Sequence, residues 1–226
     1  MIGAVSSPGP HAPPPDVRAR AAVAADAPAV AALLAESLGE KYRPAYGPRA
    51  PRAIEALVRA EIEGGASGYV VATSGHRVVG TAHLSTANDT GVPAWQPTLR
   101  RAVGAPRALW AGVVLSLLWH GPLAADEAYV GEVAVDPEWR RRGVATTLMT
   151  AVEDLARGRG CRVASLWVTL DNAAARALYE GRGFREVRRR RLPLGRRLFG
   201  AGGMALMHLR LDDAPQGPAG LRAAPA

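Results

Sequence analysis

Residues 129–145 read YVGEVAVDPEWRRRGVA, and the rest of the chain can be placed from them. Val130, Val133 and Val135 are β-branched residues of a strand, which the turn pair Asp136–Pro137 ends. The basic run Arg140–Arg141–Arg142 meets Gly143. Val144, Leu148, Val152 and Leu155 then fall on one helical stripe. A strand, a glycine turn and a helix N-terminus together make an anion site. The first N–H groups of the helix lack intrahelical acceptors, and its dipole adds partial positive charge. With three arginines alongside, the natural guest is a diphosphate or phosphate ester.

Toward the C-terminus, Gly158 and Gly160 close that helix and Arg162–Thr169 reads as a fifth strand. A short helix follows over Asn172–Glu180, stopped by Gly181 and Gly183. Strands are expected from Phe184 to Val187 and from Met204 to Leu211. Toward the N-terminus, Val17–Val23 is a first strand. Asp26 is an expected N-cap, with Pro28 in the first turn of a helix carrying Val30, Leu33, Leu34 and Leu38 and closed by Gly39. A second helix spans Pro51–Ile62, with Ile54, Leu57, Val58 and Ile62 on one face and Gly64–Gly65 at its end. Tyr69–Thr73 and Val78–Leu84 form a hairpin across Ser74-Gly75-His76-Arg77. Residues 86–127 are a helical insertion between the third and fourth strands, broken near Gly104–Pro106 and ended by Gly121–Pro122. Its apolar residues run from Leu99 to Trp119, and no charge falls between Arg107 and His120. It is expected to pack on the sheet, with a substrate lid or a membrane-facing element as the other readings.

Hydrophobic content of 48% and charged content of 21% over 226 residues describe one globular domain. Its expected span is 16–211, between a Pro/Gly/Ser-rich disordered leader at 1–15 and a disordered tail at 212–226. The net charge of +8 invites a nucleic-acid reading. Lys41 is however the only lysine. The excess of arginine accompanies a general excess of Ala, Gly and Pro, which weakens that reading. Cys161 alone excludes an internal disulfide and a cysteine metal cluster, and no metal is expected. The N-terminus lacks a charged start followed by an apolar core, and Ala108–Trp119 is too short to span a bilayer, which takes about 20 residues. A cytoplasmic protein without a transmembrane segment is the expectation; a homodimer is compatible with the chain.

Competing phosphate motifs are absent. No G-x-x-x-x-G-K-[ST] occurs, and Gly143 is not followed by the spaced glycines of a dinucleotide fingerprint. What remains is R-x-x-G-x-A, Arg140 to Ala145. At a set distance follows LDNAAARALYEGRGFREV, Leu170 to Val187, with an Asn opening a helix, a Tyr near its end, then Gly-Phe. Taken together, the two stretches strongly resemble the GNAT superfamily of acyl-CoA-dependent N-acetyltransferases. The resemblance implies an α/β (α+β) fold with a mixed central sheet of about six to seven strands flanked by helices.

It also implies roles. Arg140, Arg141, Arg142, Gly143, Val144, Ala145 and Thr146 form the pyrophosphate loop of acetyl-CoA, the co-substrate, with backbone N–H groups from Arg141 to Thr146 as donors. The strand before the loop splays from the next, so that Val133, Ala134 and Val135 pair with the pantetheine arm as an added strand. Asn172 contacts the cofactor arm. Tyr179 stands near the departing sulfur, as cofactor contact and as general acid, with aromatic packing at a helix end as its structural alternative. A backbone N–H near Val133 polarises the thioester carbonyl.

The general base is less marked. Glu132 is the best-placed carboxylate, though it could be only a charged edge position. The fifth-strand segment where some family members carry glutamate offers only Trp167, His83 and His120 stand in reserve, and a bound water is a further carrier for the amine proton, so the base stays open. The arginines at 182, 185 and 188–191 read as a solvated strand and loop, with attraction of the CoA phosphates, an acidic acceptor or nucleic acid as the other reading. The expected function is transfer of acetyl from acetyl-CoA to a primary amine, on a small molecule or a protein. The alternatives are a non-catalytic acyl-CoA-binding module and, less favoured, a basic nucleic-acid-binding domain, which no interleaved aromatics support. No motif identifies the acceptor amine.

Overall fold

A computed structural model describes residues 16–64, 68–89, 95–116, 121–191 and 202–212. Its elements are β1 (Val17–Ala21), α1 (Ala27–Tyr46), α2 (Ala50–Glu63), β2 (Tyr69–Ser74), β3 (Arg77–Thr86), α3 (Trp95–Val103), α4 (Ala105–Ser116), β4 (Glu127–Val135), α5 (Val144–Gly158), β5 (Val163–Thr169), α6 (Ala173–Gly181), β6 (Arg185–Arg191) and β7 (Gly203–Arg210). The strands form one mixed sheet in the order β1-β2-β3-β4-β5-β7-β6. Only β4 and β5 run parallel. The expected fold class and the helical insertion between the third and fourth strands are both present.

Each face of the sheet has its own core. On one, Val144, Leu148, Met149 and Val152 of α5 are buried against Val70, Val79, Leu84 and Val130, and Tyr179 and Phe184 join the same cluster near α6. Each such side chain stabilises the fold by about 1.5–3 kcal/mol. Gly80 of β3 lets α5 lie close, because a Cβ there would meet Leu148 Cδ1 and Val144 Cγ1 at 3.0 Å. On the other face lie α1 and α2, with Val30, Leu34, Ile54 and Val58 fully covered.

Four expectations need correction. Gly39 does not end α1, which continues through Gly39 and Pro44 to Tyr46. Burial of Ala45 and Tyr46 outweighs the propensity cost of a mid-helix glycine, about 1 kcal/mol, and Pro44 falls in the final turn. Asp26 occupies the N-cap position of α1, but its side chain does not bond the first N–H groups of the helix. Its carboxylate accepts from the N–H of Val23 at 2.8 Å and from the Arg20 guanidinium at 2.5 and 2.8 Å, bracing the turn before the helix. The insertion packs on helices rather than on the sheet, α3 against α2 and α4 against α1. Finally, Arg182 is not part of a solvated cluster. It makes two bonds, of 2.6 and 2.7 Å, to Glu153 of α5, which is 2% exposed, and one of 3.1 Å to Thr150. The remaining arginines at 185 and 188–191 are exposed, as expected. The leader 1–15, most of the tail and residues 117–120, His120 included, lie outside the described residues.

Candidate active site

The site grows out of an irregularity in β4. Pairing with β3 runs Thr81↔Ala134 and then His83↔Gly131, so three steps on β4 match two on β3. Glu132 sits in this bulge with φ 51°. Bulges bend the strand that carries them, and here pairing of β4 with β5 stops at Tyr129↔Ser165 although both strands continue. Val133, Ala134 and Val135 therefore leave β5 and border an opening.

The turn after β4 is held rigidly. Asp136 accepts from the N–H of Glu138 at 2.9 Å and from Arg77 at 2.7 Å, and Arg140 Nε donates to the carbonyl of Val135 at 3.2 Å. Arg141 has φ 59° and Gly143, the residue before α5, φ 78°. Among the described residues, Glu132 and Arg141 are the two non-glycines with left-handed backbone, and both belong to this one stretch. Such alternation of backbone hand turns successive N–H groups into an anion-binding concavity, and the N–H groups of the first turn of α5 face the same way.

The opening is a cleft of about 700 Å³. Val133 to Val135 form one wall, Arg140, Arg141 and Gly143 to Thr146 the floor, and Asn172 and Tyr179 of the α6 segment the opposite wall. Of the expected cofactor residues, only Arg142 is absent from this lining. Its guanidinium lies over the Trp139 ring at 5.5 Å and borders an adjoining hollow of about 540 Å³, which it shares with Arg140 and Arg141. Asn172 has a second duty, since its Oδ1 accepts from the N–H of Ala175 at 3.0 Å and caps α6. Tyr179 is packed on Phe184, with ring centroids 5.8 Å apart. Burial pushes its hydroxyl up to about 12, so it carries its proton at neutral pH. Ser37 and Leu38 of α1, Trp139, and Ala174, Ala175 and Leu178 of α6 complete the cleft; Leu38 was legible only as part of an apolar stripe.

Glu132 does not line the cleft. Its carboxylate is turned toward the helical face, where Tyr42 Oη donates to Oε1 and Tyr69 Oη to Oε2, the latter at 2.7 Å. Both hydroxyls are pushed well up, first by burial and then by the charge of Glu132, and so remain donors. The Tyr69 ring rests 4.5 Å from that of His83, whose Nε2 lies 2.6 Å from Glu61 Oε1. Burial lowers the His83 imidazole, but the hydrogen bond and charge of Glu61, with Glu132 and Asp89 beyond, outweigh it and the net shift is upward. Glu61, Tyr42 and Tyr69 were missed by sequence reasoning. Tyr42 and Tyr69 lie 90 and 63 positions from Glu132, and no local spacing could connect them. Trp167 is half-buried on β5.

The cleft suits a long, diphosphate-bearing acyl thioester: a nest for the phosphates, an unpaired strand edge for an amide-rich arm, and a protonated phenol on the wall. Among the described residues no cluster of His, Cys, Asp and Glu could hold a metal ion.

Comparison with known proteins agrees. The sequence profile described as the acetyltransferase (GNAT) family matches residues 32–184. Over 61 residues the chain is 43% identical to GCN5-related N-acetyltransferase 4, chloroplastic, of Arabidopsis thaliana, covering 27% of this chain and 21% of that protein. Over 68 residues it is 46% identical to the ribosomal protein bS18 alanine N-acetyltransferase of Escherichia coli K12, covering 29% of this chain and 45% of that enzyme. The matches thus span less than half the length of these relatives. In fold the chain resembles yncA of Salmonella typhimurium, solved with its cofactor acetyl-CoA, with TM-score 0.59, 17% identity and coverage of 90% and 99% of the two chains. It likewise resembles the ribosomal-protein-alanine N-acetyltransferase of Brucella melitensis, with TM-score 0.58, 18% identity and coverage of 85% and 98%.

Proposed function

The chain belongs to the acetyltransferase (GNAT) family, and from that premise we propose that it transfers the acetyl group of acetyl-CoA directly to a primary amine. The observation that carries this reading is the separation of β4 from β5 beyond Tyr129, which opens a cleft between the Gly143 turn and Tyr179. Acetyl-CoA supplies the activated acyl group; everything else falls to the chain. The N–H groups from Arg141 to Thr146 hold the pyrophosphate, with Arg140, Arg141 and Arg142 adding charge from the rim. The edge of Val133, Ala134 and Val135 pairs with the pantetheine arm as a strand would, and Asn172 contacts the arm from across the cleft.

Holding both reactants in one place supplies much of the acceleration. The N–H at Val133 donates to the thioester carbonyl, where negative charge develops. As the amine nitrogen bonds to the acyl carbon and the C–S bond breaks, Tyr179 gives its proton to the sulfur. Glu132, on the helical side of β4, receives the amine proton through a water, while Tyr42 and Tyr69 keep both carboxylate oxygens in place. The acceptor is an amine on a small molecule or on a protein, and the setting is the cytoplasm, where acetyl-CoA is at hand.

The test is release of free thiol from acetyl-CoA with a panel of amines, alongside acetyl-CoA binding. Thiol release with at least one amine is expected. Tight binding without turnover on any amine would make the chain a non-catalytic acyl-CoA-binding module, and absence of binding would remove both readings.

A further inference from the structure

Helix α4 departs from the pattern of a surface helix. Its inner stripe, Ala108, Ala111 and Val114, is buried in the core that α1 shares. Its outer side is apolar as well, with Leu109 71% exposed, Trp110 51% and Val113 55%. Trp95 of α3, 36% exposed, extends the patch. A Cβ added to Gly112 of α4 would stand 3.9 Å from the Trp95 ring. A helix apolar all round is ordinarily covered all round. The hairpin is firmly seated: Arg107 Nη2 and Trp110 Nε1 both donate to the carbonyl of Pro44 in the last turn of α1, at 3.1 and 3.0 Å. That carbonyl is one which the end of a helix leaves without an intrahelical donor.

Charge and size together indicate what covers the patch. Between Asp89 and Asp126 the sequence contains no carboxylate. Arg100 and Arg101, in the last turn of α3, are exposed, and neither forms an ion pair with the described residues. Among the described residues, the exposed large apolar side chains of the patch number four, Leu109, Trp110, Val113 and Trp95, a small set beside the roughly 20–30 residues a side of a standard protein interface. Tryptophan and short apolar helices flanked by arginine, without acidic residues, suit the headgroup layer of an anionic bilayer. No described helix is long and apolar enough to cross one, so the element would lie on the surface.

We propose that the α3–α4 hairpin docks the enzyme on anionic lipid bilayers. Leu109, Trp110 and Val113 enter the headgroup boundary while Arg100 and Arg101 meet lipid phosphates. This goes beyond acetyl transfer and does not depend on it. The docked helix packs on α1, which also carries Tyr42, so the surface lies one helix away from Glu132.

The experiment is co-sedimentation of the full chain with phosphatidylcholine vesicles and with mixed phosphatidylcholine–phosphatidylglycerol vesicles. Retention on the anionic vesicles alone is expected. Leu109→Glu should weaken it about tenfold or more, and the pair Arg100→Gln, Arg101→Gln several-fold, as should added salt. An unchanged melting temperature and acetyl-CoA shift would establish that each variant folds; should Leu109→Glu fail that control, Leu109→Ser and the arginine pair carry the test. Equal retention on neutral vesicles, no retention on either, or full retention by the variants overturns the proposal. A concentration-dependent dimer lost in Leu109→Glu, with no vesicle binding by the wild type, would instead assign the patch to a second copy.

Discussion

At the scale of single residues, Glu132 and Tyr179 are chemically separated by the strand between them. Tyr179 faces the cleft with a hydroxyl raised by burial, and Glu132 faces the tyrosines of the helical side. Tyr179→Phe should therefore lower kcat about 10²-fold while acetyl-CoA affinity stays nearly constant. Equal losses in both would assign Tyr179 to binding alone. Glu132→Gln should lower kcat by a comparable factor, and Tyr69→Phe by less, since it frees the carboxylate without removing it; steady-state kinetics on the best acceptor check both. His83 gives a pH signature. Its folded value is raised, so the Glu61 pair contributes stability that is full below about 6.5, the ordinary value of imidazole. That contribution is lost as pH rises through the higher folded value. The melting-temperature gap between wild type and His83→Gln should then be widest in mildly acidic solution and close at alkaline pH. A gap independent of pH would show that the pair does not titrate in this range.

At the scale of elements, two contacts bear on α5, whose N-terminus forms the floor of the cleft. One is the close approach at Gly80. Gly80→Val places side-chain atoms where Leu148 and Val144 already stand and should cost about 1–3 kcal/mol. It should also weaken acetyl-CoA binding, because α5 is pushed off β3; binding titration of the folded variant separates the two effects. The other is the buried pair of Arg182 with Glu153. Arg182→Ala leaves Glu153 buried without its partner and should destabilise by about 3–5 kcal/mol, whereas Arg182→Met with Glu153→Leu should recover most of that loss. Chemical denaturation of the single and double variants decides it. Failure of the double variant to recover would mean that the pair positions the Gly183 turn as well as neutralising charge.

At the scale of the molecule, the cleft joins elements from both halves of the chain: α1, β4, the start of α5 and α6. Acetyl-CoA should therefore act on global stability. At a hundred times its dissociation constant it contributes about 2.7 kcal/mol, which for a chain of this length is a rise in melting temperature of about 5–10 °C. No rise at saturating acetyl-CoA, with the fold intact, would count against the cleft as its site.

The sequence alone determined the strand–turn–helix at Tyr129–Ala145 and the order of the seven strands along the chain, which are local matters: alternation, a β-branched run, a glycine where backbone hand must change. The coupling of that stretch with Asn172, Tyr179 and Gly183–Phe184 came from its resemblance to the GNAT superfamily. The sequence also singled out Glu132 without its surroundings. Only the tertiary structure decided that β4 bulges at Glu132 and leaves β5. The same holds for the grip of Tyr42 and Tyr69 on that carboxylate, and for the run of α1 past Gly39. Each depends on contacts between residues tens of positions apart, where packing outweighs local propensity. The insertion shows both limits: its helices and the break at Gly104 were legible from spacing, but which of its apolar residues stay exposed emerged only once α4 was set against α1.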